Sequence, residues 1–143
     1  MTEKFDNKAI YLDTAPLIYY MEEASIGFSF LKDIFKKNEN GDFTFFTSTI
    51  TLAEVLILPV KMGNAKLTEQ YEFFITQPPS LRLINVNSSI AKLAAHLRSE
   101  YSLKLPDAIH VATALEVKVD FFLTNDFDLE KVKGLSVIIP TDV

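Results

Sequence analysis

Four acidic residues stand where chemistry on a phosphate would need them: Asp13, Glu54, Asp107 and Asp126. Asp13 directly follows the short apolar run Ala9-Ile10-Tyr11-Leu12, and Asp126 closes Thr124-Asn125-Asp126 behind Phe121-Phe122-Leu123. Glu54 and Asp107 fall in segments that read as first turns of helices. Each acid also has an ordinary explanation. Asp13 suits a helix cap, and Thr51-Leu52-Ala53-Glu54 has the spacing of a capping box. Asp107, behind Pro106, complements a helix dipole, and Thr124-Asn125-Asp126 has the composition of a turn. Their joint placement says more. In a parallel α/β sheet, strand C-termini and the first turns of the following helices share one edge, and ligand crevices open there where strand order reverses. Asp42 and Asp120 precede strands and are expected at the opposite edge, where they serve as internal controls.

Carboxylates gathered at one edge repel one another, and helix dipoles offset only part of that repulsion. A divalent cation resolves the conflict. With two histidines and no cysteine in the chain, Asp and Glu are the plentiful ligands, and oxygen donors suit hard ions such as Mg²⁺ or Mn²⁺. Such an ion polarises a phosphodiester oxygen and lowers the pKa of a bound water. Phosphodiester hydrolysis follows from this set more naturally than acyl transfer or redox chemistry.

The elements that must position these acids follow from periodicity. Ala9 to Leu12 reads as a strand, and Thr14-Ala15-Pro16 opens a helix with proline in its first turn. Phe28, Leu31, Ile34 and Phe35 recur at helical spacing within residues 26–35, and Asn40-Gly41-Asp42 breaks the chain. Phe43 to Thr47 is rich in strand formers. A helix beginning near Ser48 to Thr51 carries Leu52, Val55 and Leu56, with Pro59 kinking or ending it. Further helices are predicted over 65–75, 88–101 and from Pro106 through Glu116, and further strands over 81–85, 121–124 and 137–139. Alternating strands and helices with short continuous apolar runs predict an α/β three-layer sandwich, a central parallel sheet flanked by helices.

The chain has 143 residues, 48% of them apolar, which makes one domain over 1–143 the default. Without cysteine there is no disulfide or thiolate site, and a reducing cytoplasm fits. Residues 1–8 are polar, and no apolar run approaches the roughly 18 residues of a membrane span. The expectation is a soluble protein with no membrane partner. A net charge of −5 counts against a broad basic face. Contact with nucleic acid would then need metal in the acidic site, a local basic rim, or a dimer.

Four segments in order carry a family resemblance: Tyr11-Leu12-Asp13-Thr14 with Pro16-Leu17-Ile18-Tyr19-Tyr20, Thr51-Leu52-Ala53-Glu54-Val55-Leu56, Leu105-Pro106-Asp107-Ala108-Ile109-His110-Val111-Ala112-Thr113-Ala114, and Phe122-Leu123-Thr124-Asn125-Asp126. Together they resemble a PIN domain, and the likeness extends to the VapC-type ribonuclease toxins of prokaryotic toxin–antitoxin pairs. The resemblance implies a five-stranded parallel sheet with the first strand beside the one ending at Thr124. It also implies that Asp13, Glu54, Asp107 and Asp126 bind Mg²⁺ or Mn²⁺ and activate water for RNA cleavage, with Thr14 and Asn125 as supporting polar groups. A homodimer and a small cognate antitoxin protein are the partners it implies.

Other residues carry weaker signals. His110 lies one turn after Asp107, but reads more simply as a solvent-facing or hydrogen-bonded structural histidine. Lys61, Lys66, Arg98 and Lys104 are candidates for phosphate contacts, each also explicable as solvated surface charge. Tyr71, Phe73 and Phe74 surround one helix, which hints at a dimer or partner surface. Tyr19-Tyr20 suits base stacking or core packing. Beside the endoribonuclease stands a non-catalytic PIN-like module that binds RNA or protein. An aspartate-phosphorylated enzyme is disfavoured because Ala15 occupies the position where a second Asp is needed.

Overall fold

The computed structural model describes residues 3–23 and 27–140. The apolar run Ala9–Leu12 forms β1, and Asp13 caps the helix α1, Thr14–Met21, that follows. The chain continues through α2 (Phe28–Glu39), β2 (Thr44–Ser48), α3 (Thr49–Lys61), α4 (Ala65–Thr76) and β3 (Leu81–Ile84). It returns through α5 (Ser88–Tyr101), α6 (Leu105–Val117), β4 (Phe121–Leu123) and β5 (Val137–Ile138). The first position of the helix expected over 26–35 lies outside the described residues; its remainder lies in α2.

The five strands are all parallel, in the order β3-β2-β1-β4-β5. The chain lays strands outward from β1 to β3, then crosses back to place β4 against the other side of β1. Strand order therefore reverses between β1 and β4. Leu12 and Leu123 pair in register at that junction, and Asp13 N–H donates to the Leu123 carbonyl at 3.0 Å.

Side chains alternate between the two faces of the sheet, as extended backbone requires. Ile10, Leu12, Phe45 and Leu123 belong to a buried cluster with Leu31 and Phe35 of α2, Val55 of α3 and Ile75 of α4. Tyr11 and Phe122 belong to a second, with Ile90, Ala94 and Leu97 of α5 and Val111 and Ala112 of α6. Two cores on opposite faces give the three layers. Burying each such side chain contributes roughly 1.5–3 kcal/mol, against about 1 kcal/mol for a typical hydrogen bond, so packing holds the strand ends in place and polar contacts refine what they carry.

The helix that bears Glu54 begins at Thr49, within the stretch expected. Ser48, in extended backbone, caps α3 by accepting from Ile50 N–H at 3.1 Å. Thr51 is instead buried and bonded to Thr47 Oγ1 at 2.6 Å. The capping-box reading of Thr51 to Glu54 is therefore incorrect, and Glu54 stands in the second turn rather than the first. Pro59 does not end the helix, which continues to Lys61. Two short 3₁₀ turns, Glu3–Phe5 and Phe127–Lys131, lie outside the elements expected; each buries one apolar residue, Phe5 and Leu129.

Candidate active site

The strand reversal places the end of β1, the loop after β4 and the N-terminal parts of α1, α3 and α6 around one open pocket of about 460 Å³. All four acids, Asp13, Glu54, Asp107 and Asp126, line it. Thr14 and Asn125 join them, as do Thr124 and His110, while Ala15 and Ile18 give it an apolar wall. Asp42 and Asp120 are absent from it and lie at the other ends of the strands.

Asp13 is both cap and pocket residue. Its Oδ1 accepts from Thr14 N–H at 2.8 Å and its Oδ2 from Thr124 Oγ1 at 2.7 Å. Both oxygens are thereby oriented, with only 8% of the residue exposed. Thr124 Oγ1 also accepts from Asp126 N–H at 3.0 Å, so one hydroxyl links the two strand-end acids. Asp126 Oδ1 accepts from Asp128 N–H at 3.0 Å and starts the 3₁₀ turn behind it.

Glu54 and Asp107 are held very differently. Glu54 Oε1 accepts from Thr14 Oγ1 at 2.8 Å and from His110 Nε2 at 2.7 Å. The bond from His110, and then that from Thr14, hold the Glu54 carboxyl below its ordinary value despite partial burial. Asp107, third residue of α6, has no such donors among the described residues. Burial, then the charges of Asp13 and Asp126, push its carboxyl above the ordinary value, with His110 opposing. The upward shift reflects burial first and then the acids that share the pocket.

His110 is the residue that sequence reasoning underrated. It is not solvent-facing: it is 1% exposed. Its Nδ1 meets the Tyr11 hydroxyl at 2.6 Å, and its Nε2 meets Glu54. Its spacing of three residues from Asp107 was the available signal, since such positions share a helix face. Thr124 was missed because nothing local distinguishes it from a strand-end threonine. Lys61, Lys66 and Lys104 are all exposed and do not line the pocket. Lys104 is the residue preceding α6, and Lys66 borders a separate surface hollow with Phe73 and Phe74. Tyr20 stacks on Phe35 at 4.0 Å, the core-packing role rather than base stacking.

The donor set fits a hard divalent cation. Four carboxylates line the pocket, and among the described residues the buried Asn125 Oδ1 has no hydrogen-bond partner. A buried carbonyl oxygen without a donor is costly unless something electropositive meets it. Among the described residues, no three acidic or imidazole groups are drawn together tightly enough to enclose an ion.

Comparison with known proteins agrees with this architecture. The profile of the PIN domain family matches residues 10–135. Among curated proteins none matches significantly. Among solved structures, a toxin–antitoxin complex from Klebsiella pneumoniae is similar at 27% identity and a TM-score of 0.68, covering 94% of this chain and 99% of that one. VapBC2 from Rickettsia felis, solved bound to a promoter DNA fragment, is similar at 16% identity and a TM-score of 0.72, over 92% and 98%. VapC20 from Mycobacterium tuberculosis, described as a sarcin-ricin loop cleaving toxin, is similar at 13% identity and a TM-score of 0.69, over 89% and 98%. The last two likenesses are likenesses of fold.

Proposed function

Since the chain belongs to the PIN domain family, we propose that it is a Mg²⁺- or Mn²⁺-dependent endoribonuclease and the toxin of a type II toxin–antitoxin pair. In this reading residues 1–143 work as one domain in the cytoplasm. The observation that carries it is the convergence of Asp13, Glu54, Asp107 and Asp126 on one pocket at the strand reversal, beside the unpartnered Asn125 Oδ1.

Asp13, Asp107 and Asp126 would hold the cation, with Glu54 and Asn125 offering further oxygens. When bound, the ion supplies charge neutralisation at the phosphate and a more acidic water. The chain's own contribution is orientation. Thr14 and Thr124 fix the two oxygens of Asp13, and Thr14 and His110 fix one oxygen of Glu54. Asp107, without a hydrogen-bond donor among the described residues, carries a charge that a cation beside it would offset. Lys61, Lys66 and Lys104 are assigned to phosphate contacts outside the pocket.

Two partners follow. A small antitoxin is supported by the toxin–antitoxin assemblies named among the similar structures. A homodimer is supported by the exposed apolar side chains Ile57, Leu58 and Val60 of α3 and Phe73 of α4, two helices packed on each other. Sedimentation equilibrium at tens of micromolar is expected to give twice the chain mass; a strict monomer would remove the dimer.

The nuclease reading is tested by cleavage of a mixed RNA pool with and without Mg²⁺ or Mn²⁺. Cleavage is expected only with metal, and Asp13→Ala and Asp107→Ala are each expected to lower it at least about 100-fold. Metal-independent cleavage, or cleavage unchanged in both variants, would remove the assignment.

A further inference from the structure

We propose that His110, itself held by Tyr11, is a positioning residue that fixes Oε1 of Glu54 and leaves Oε2 as the oxygen Glu54 offers to a cation. This rests on the nuclease reading above, deepens its account of His110 and assigns a task to buried Tyr11, which that reading leaves unused.

The hydrogen bonds support the following assignment. Nε2 of His110 lies 2.7 Å from Glu54 Oε1, 3.2 Å from Thr14 Oγ1 and 3.6 Å from Asp13 Oδ1. The Asp13 distance is beyond hydrogen-bonding range. Thr14 Oγ1 spends its own proton on the same Glu54 oxygen at 2.8 Å. The carboxylate oxygen is therefore the main acceptor and Nε2 the donor. In the neutral ring this leaves Nδ1 as an acceptor, and the Tyr11 hydroxyl, 2.6 Å away, donates to it.

Each member is anchored in a different part of the fold. Tyr11 is fully buried on β1, two residues before Asp13, and stacks on Phe122 of β4 with ring centres 5.0 Å apart and planes 7° from parallel. His110 lies on α6, one turn beyond Asp107, and meets the Tyr11 ring edge-on at 5.8 Å. Glu54 projects from α3, and its side chain is 31% exposed. A glutamate on a helix surface has three free torsions, so donors from two other elements are what hold it. Among the described residues, Oε2 takes no hydrogen bond. The relay thus references the α3 acid to the rigid β1–β4 seam, the seam that also carries Asp13. Groups that support metal ligands in this manner are commonly worth 10- to 100-fold in affinity or activity.

The test is a set of double-mutant cycles read by two assays: Mn²⁺ affinity by titration calorimetry without RNA, and kcat and KM for RNA cleavage. His110→Leu, His110→Gln and Tyr11→Phe are each made in the unaltered and the Glu54→Ala backgrounds. His110→Leu is expected to weaken Mn²⁺ binding and lower kcat by about 10- to 100-fold with KM little changed. His110→Gln keeps an N–H donor and is expected to recover much of that loss. Tyr11→Phe keeps the stacked ring and is expected to lose about 3- to 10-fold, since it acts one bond further away. In the Glu54→Ala background all three are expected to cost less than about 2-fold, because their effect passes through the missing carboxylate. Losses of equal factor in both backgrounds would overturn the relay, as would a folded His110→Leu protein with unchanged Mn²⁺ affinity and kcat. If His110→Leu fails to fold, the Tyr11→Phe cycle decides by the same criterion. An unaltered chain that neither binds Mn²⁺ nor cleaves RNA would overturn the nuclease reading and the relay with it, whereas intact binding with additive cycles overturns the relay alone.

Discussion

Aspartates flank the central strands at both ends of the sheet, and the two ends use them differently. At the N-terminal edge Asp120 Oδ2 accepts from Ala9 N–H at 2.8 Å while Asp120 N–H donates to the Ala9 carbonyl at 2.8 Å. The two bonds clasp the starts of β1 and β4. Asp42 contributes there through its backbone carbonyl, which accepts from Asn7 N–H at 2.7 Å. At the C-terminal edge the chain turns into helices whose first-turn amides and dipoles favour negative charge. Acids accumulate there on one pocket, and among the described residues Asp107 takes no hydrogen bond.

Variants at the two edges should therefore separate cleanly. The largest effect is expected from Asp13→Asn and Asp107→Asn, about 100- to 1000-fold in RNA cleavage. Asp120→Asn should leave cleavage within about 2-fold and cost on the order of 1 kcal/mol in urea unfolding. Equal losses of activity at both edges would erase the distinction.

Thr124→Val should have an intermediate effect. It strips Asp13 Oδ2 and Asp126 N–H of their shared partner while preserving side-chain shape. A loss of about 1–3 kcal/mol is expected in chemical denaturation. A loss below about 0.5 kcal/mol would show that this hydroxyl is not what joins the two strand ends.

The smallest effect concerns pH, and it has opposite signs at the two differently held acids. Asp107 has a raised carboxyl in the folded chain, so its contribution to stability is fully present below the ordinary value of 3.8 and is lost as pH rises through the raised one. Glu54 is lowered, so its contribution is present above the ordinary 4.5 and is lost as pH falls through the depressed value. Asp107→Asn should therefore raise the thermal midpoint at pH 7 without added metal, by about 1–3 °C given solvent screening in an open pocket. The gain should shrink in melts at pH 4. A lower midpoint at pH 7 would mean that the Asp107 carboxylate has a stabilising partner after all.

Much of this contrast was readable before any coordinates. Ala9–Leu12 and Ser88–Tyr101 are bounded as their apolar spacing predicts, and the edge assigned to each aspartate follows from whether it precedes or follows a strand. Local patterns misled where a distant contact outweighed them. Thr51 looks like a cap, but Thr47 draws it inward while itself donating to the Leu12 carbonyl at 2.7 Å, and Ser48 takes the capping role. His110 shares a helix face with Asp107, yet its partners Tyr11 and Glu54 lie 99 and 56 residues away.

The sequence by itself determined the alternation of strands and helices and the stations of Asp13, Asp107 and Asp126 along them, because backbone geometry fixes side-chain direction within a few residues. Only the tertiary structure decided that Thr124 joins Asp13 to Asp126 and that Tyr11 holds His110 against Glu54. Those contacts depend on the path of the whole chain, and no local spacing encodes which distant donor reaches a given oxygen.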